Sequence, residues 1–164
     1  MKTSNILMII FIGVSLLLSI LTYIYFPFYK LNGFDKGLEG VLLFASISLG
    51  FYGACLSVLA SIFHTKVVRT IMSDKEEKKE FSIIVFSTLI SGFITVFLTI
   101  GFRVILGSSI LKEHLKLINS LWVFFTLLFV SMNFLFVLIS FLIFFKNTEI
   151  KKDSVYKPIL KDVK

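Results

Sequence analysis

The chain has a single cysteine, Cys55, so it can form no internal disulfide and has no paired thiols for metal or redox work. Its two histidines, His64 and His114, fall at the edges of different apolar runs and on opposite sides of any membrane those runs cross, so they cannot share a metal or a proton. Acidic residues number 10 against 17 basic ones, and none lies inside an uncharged run. Proton-coupled transporters and pumps mark their pathway with intramembrane acids, which argues against that class. The sequence contains no phosphate-cradling glycine loop, no HExxH and no serine elbow. Ser57 and Cys55 have no base nearby in sequence. The expectation is a chain that is not an enzyme and holds no cofactor or metal.

What the chain does have is hydrocarbon. Hydrophobic residues make up 57%, with 20 phenylalanines and a mean hydropathy of +0.95, far from the balance of a soluble fold. Charge-free runs extend over Asn5 to Tyr29, Gly40 to Phe63, Phe81 to Phe102 and Leu117 to Phe145. Each exceeds the roughly 18 apolar residues that mark a spanning candidate. This predicts an all-α integral membrane four-helix bundle over 1–145, with spans at about 5–29, 38–63, 81–106 and 117–145, a loop at 64–80 and a Lys-rich tail at 146–164. The first run is too long for a signal peptide, and the "YIYFPFYK" after it puts bulky aromatics where a cleavage site wants small residues.

Basic residues are unevenly shared between the two sides. Lys2, then Lys66, Arg69, Lys75, Lys78 and Lys79, then Lys146, Lys151, Lys152, Lys157, Lys161 and Lys164 outnumber Lys30, Lys36, Arg103, Lys112 and Lys116. Positive residues of short loops stay in the cytoplasm, so both termini and the 64–80 loop are expected there, in a bacterial cell membrane. The net charge of +7 is then mostly topology. No nucleic-acid binding is expected of it, although the tail can touch anionic lipid.

Polar and small residues inside the runs fall in stripes. Ser46, Gly50, Gly53, Ser57 and Ala60 recur at intervals of four and three, on one side of the second helix. Such a face lets another backbone come close, whether within the chain or in a second copy. Asn119, Thr126, Asn133 and Ser140 are seven apart on the fourth helix, which points them to a neighbouring helix, an oligomer interface or a water path. Thr95, Thr99 and Arg103 run toward the outer surface as a possible polar path, with Arg103 snorkelling to the headgroups as the simpler reading. Ser15, Ser19 and Thr22 repeat the theme in the first helix.

At the membrane edges, Tyr23, Tyr25, Tyr29 and Trp122 suit the headgroup region. The outer "KLNGFDKGLEG" is rich in turn formers and is expected to be a short unstructured loop. Ser73 and Glu76 form a capping box that starts the third helix near Asp74. The "VYKPILKDVK" end with its Pro158 is expected to be mobile. Lys66, Arg69, Lys75, Lys78 and Lys79, together with the tail, are the surfaces offered to a cytoplasmic protein partner.

The layout of "GLEGVLLFASISLGFYGACLSVLASI" followed by "KVVRTIMSDKEEKKEF" resembles the small four-span membrane proteins of bacterial phage-exclusion and abortive-infection systems, such as the Rex membrane protein and the membrane subunit of the Kiwa system. The resemblance covers about Gly37 to Phe145 and carries no site residue with it. It implies an oligomeric inner-membrane protein that responds to infection, by depolarising the membrane or with a cytoplasmic partner. An immunity or accessory protein for a membrane-acting toxin, or a small subunit of a transport complex, fits the same features.

Overall fold

A computed structural model describes residues 2–62, 75–107 and 114–155. Four long helices account for nearly all of them: α1 (Lys2–Ile24), α2 (Phe34–Ile62), α3 (Lys75–Gly107) and α4 (Leu115–Val155), with a short 3-10 turn at Phe28–Lys30 between the first two. Each contains a stretch long and apolar enough to cross a bilayer, at Ile6–Ile24, Phe34–Val58, Lys79–Gly107 and Leu115–Phe141. The chain is a four-span helical bundle, a multi-pass membrane protein.

Contacts along the helices give their directions. Phe34 meets Trp122 at one end of the α2–α4 contact and Tyr52 meets Phe136 further along, so these helices run parallel. α3 opposes them, because Thr99 lies against Trp122 while Phe81 lies against Phe136. α1 is also antiparallel to α4 and packs on it almost alone, through Ser19 with Ser120 and the Phe26 carbonyl near Asn119. The start of α1 and the end of α4 therefore lie at the same end of the bundle as the break between α2 and α3.

Several boundaries differ from the sequence expectation. α1 stops at Ile24 rather than continuing to Tyr29, because Pro27 disfavours helix at the residue before it and brings no N–H of its own. The expected unstructured outer loop is largely helical instead. After the 3-10 turn only a short link remains, with Gly33 at φ 86° allowing the chain to turn into α2 at Phe34. At the other end, α4 runs on to Val155, so the first part of the Lys-rich tail extends the spanning helix. Lys66, Arg69, His64, Ser73, Asp74 and the end beyond Val155 lie outside the described residues.

Two apolar clusters hold the bundle. One comprises Ala45, Tyr52, Ile84, Val85, Phe129 and Phe136, the other Leu38, Phe102, Trp122 and Val123. Lipid is as apolar as leucine, so packing and hydrogen bonds between helices must supply what water exclusion supplies in a soluble core. Close approach is set at Gly92, where a Cβ would sit 2.7 Å from the Phe129 ring and 2.9 Å from Leu49 Cδ2.

Candidate functional site

A set of polar residues of α3 and α4 faces inward and forms a column through the bundle. Thr88, Ser91, Thr95 and Thr99 are all buried. Their spacing of three and four keeps them on one face of α3. Each hydroxyl donates to a carbonyl one turn back, Thr95 to Ser91 at 2.8 Å and Thr99 to Thr95 at 2.6 Å. The Thr95 hydroxyl also lies 3.1 Å from the Phe125 carbonyl across the helix interface. Thr99 Oγ1 accepts from the Trp122 indole N–H at 2.9 Å. Trp122 is thus buried within the bundle between Phe34, Phe102 and Thr99. The hydroxyls of the two threonines are committed to bonds that tie α3 to itself and to α4.

Asn133 is the centre of the column. Its Oδ1 accepts from the Tyr52 hydroxyl at 2.9 Å and its amide nitrogen donates to Ser48 Oγ at 3.0 Å, so one side chain of α4 holds two of α2. Of the other residues in its seven-residue series, Asn119 and Ser140 are buried and Thr126 is half-buried. Asn119 Oδ1, Thr126 Oγ1 and Ser140 Oγ have no hydrogen-bond partner among the described residues. Asn133 thus packs against the chain's own α2, and Asn119 and Ser140 are buried within the bundle.

α1 attaches by the same kind of chemistry. Ser15, Ser19 and Thr22 are its buried face, while the large aliphatics around them point outward. The Ser19 hydroxyl donates to the Ser120 carbonyl at 2.8 Å and the Ser120 hydroxyl returns a bond to the Ser19 carbonyl at 2.9 Å. Beside this pair a cleft of about 330 Å³, walled by Leu16, Ile20, Leu117 and Phe124 among others, opens toward lipid.

The small-residue stripe of α2 lies elsewhere. Ser46, Gly50, Gly53, Ser57 and Ala60 are all exposed, and a Cβ on Gly50 or Gly53 would meet nothing within 4 Å. Both serines bond to their own helix, Ser46 to the Leu42 carbonyl and Ser57 to the Gly53 carbonyl, each at 2.8 Å. As a seam within the chain this stripe is replaced by its neighbour on the same helix, Leu38, Ala45, Ser48 and Tyr52, which are buried. The reason is Tyr52: its ring fills the space against Phe136 and its hydroxyl requires the Asn133 amide, which fixes the rotation of α2.

No family model, curated protein or solved structure matches this chain.

At the end of the bundle where α2 begins, Arg103 does not simply snorkel. Its Nε lies 3.0 Å from Asp35 Oδ1 and its Nη2 donates to Oδ2 at 3.2 Å, a two-point ion pair from the end of α3 to the start of α2. Among the basic residues expected to dock a partner, Lys79 is exposed, while Lys75 and Lys78 belong to the first turns of α3. Cys55 is a half-buried free thiol packed against the first apolar cluster. The residues sequence reasoning missed are Ser48, Tyr52, Ser120 and Gly92. A lone tyrosine in a run of small residues was the available signal for Tyr52.

Proposed function

We propose that the chain is a non-enzymatic subunit of the bacterial inner membrane, with both termini and the 64–80 loop cytoplasmic, that works by assembling with copies of itself along α2. On the resemblance described above, its role is that of a membrane effector or membrane subunit of a response to phage infection, acting by depolarisation or through a cytoplasmic protein docked on Lys66, Arg69, Lys75, Lys78 and Lys79. One observation carries the assembly: α1 spends its serines on α4, but α2 presents Ser46, Gly50, Gly53, Ser57 and Ala60 outward. Lipid gains nothing from such a face, whereas a second helix gains van der Waals contact along its length.

A second reading is favoured by the closed interior. Thr95 and Thr99 are buried and bonded and Asn133 is held by α2, so a single copy has its polar column committed to packing. An immunity or accessory protein that offers α2 to the helix of a membrane-acting toxin needs no conduction at all. Overexpression in cells carrying a potential-sensitive dye separates the two. The effector reading expects depolarisation or growth arrest, lost in Gly53→Leu; a protein harmless at high level that protects against a toxin would replace it with the accessory reading.

A further inference from the structure

Between α2 and α3 a groove of about 320 Å³ is lined by Leu38, Leu42, Thr99, Ile100, Arg103 and Val104. Its walls are apolar and open outward, Val104 being 67% and Ile100 46% exposed. In a four-span protein those side chains meet lipid tails. Arg103 is the groove's one charged lining residue and is paired with Asp35, the two side chains remaining 44% and 62% exposed. Arg103 stands four residues before the end of α3 at Gly107, and Asp35 is the second residue of α2. At about 1.5 Å per residue both charges are within a turn or so of the helix ends, where hydrocarbon gives way to headgroups.

We infer that this groove is a phospholipid site selective for a primary-amine zwitterion, phosphatidylethanolamine, with one acyl chain along Leu42, Ile100 and Val104 and the headgroup across the ion pair. The charge pattern is complementary in both halves. A guanidinium carries five N–H donors, and the fork to Asp35 uses two of them, leaving donors for a phosphate. Each carboxylate oxygen of Asp35 keeps a second lone pair, which an ethanolammonium can fill with a hydrogen bond. A choline headgroup has the charge but no N–H to donate. A glycerol headgroup brings the phosphate without a cation, leaving nothing to answer Asp35. Thr99 contributes shape only, since its hydroxyl is already engaged with the Thr95 carbonyl and the Trp122 N–H.

The test is native mass spectrometry of the full chain, purified in mild detergent and offered equal amounts of phosphatidylethanolamine, phosphatidylglycerol and phosphatidylcholine with identical chains. The expected result is retention of phosphatidylethanolamine about three- to tenfold above the others, the effect of one or two added hydrogen bonds. Asp35→Asn should lose the preference over phosphatidylcholine while still retaining lipid. Arg103→Gln should lower retention of all three. Ile100→Trp fills the groove without touching the pair and should likewise lower all three, so the inference stays testable if removing Arg103 unfolds the protein. Equal retention of the lipids by the wild type, a preference for phosphatidylglycerol, or an ethanolamine preference that survives Asp35→Asn would each overturn it.

Discussion

Gly92→Ala should loosen the bundle, and the amount follows from the geometry at that position. The added methyl would lie 2.7 and 3.2 Å from two carbons of the Phe129 ring and 2.9 Å from Leu49 Cδ2. Carbon atoms pack at about 3.5–4.0 Å, so the ring must retreat by roughly an ångström. Leu49 can rotate away, but Phe129 is fully buried and has Phe44 edge-on at 6.1 Å. Overpacking of this kind costs about 1–3 kcal/mol. The better helix propensity of alanine, about 0.8–1.0 kcal/mol in water, offsets part of it. A net loss of up to about 2 kcal/mol is expected. Gly53→Ala is the matched control in dispersed single copies, since its methyl meets nothing within the chain and only the propensity gain remains there. Unfolding of both variants in mixed micelles with rising SDS can be followed by the fluorescence of Trp122, the single tryptophan. If Gly92→Ala unfolds together with Gly53→Ala, the close approach of α2, α3 and α4 at this point is wrong.

Replacing Asn133 by Leu and Tyr52 by Phe, singly and together, should give a coupling of about 0.6–1.7 kcal/mol in the same assay, the range for interhelical hydrogen bonds in membranes; strictly additive effects would contradict the pair. Ser19→Leu should free α1 without unfolding the rest, so that cysteines placed at Leu16 and Phe124, on the two walls of the α1–α4 cleft, no longer crosslink while the Trp122 signal persists. Arg103→Gln should shift unfolding by less than about 1 kcal/mol, because both partners are substantially exposed and such pairs contribute little.

The four spans were legible because length and charge-free composition are first-order signals, and the rest of the chain could not mask them. The rotation of each helix was harder to read. On α2 the stripe of Ser46, Gly50 and Gly53 and the stripe of Ala45, Ser48 and Tyr52 lie side by side with related spacing, and small residues alone do not say which one meets a neighbour. The choice was made by a long-range event, the Tyr52 hydroxyl reaching Asn133 from 81 positions away. The α4 series was easier, since a buried amide has few places to go. The partner of Arg103 was hidden for a related reason: Asp35 sits in a segment whose glycines suggested a loop, and the helical start at Phe34 brings its carboxylate to the guanidinium. Gly92 gave no signal, being one glycine in a run with no partner stripe.

The central claim is that α2 turns its small-residue face away from its own bundle and toward a second copy. In native membranes, with Cys55→Ser as background, a cysteine at Gly53 should form a covalent dimer on mild oxidation, whereas one at the buried Ala45 should not. Monomer at Gly50, Gly53 and Ser57 alike, or a dimer through Ala45, would contradict the account.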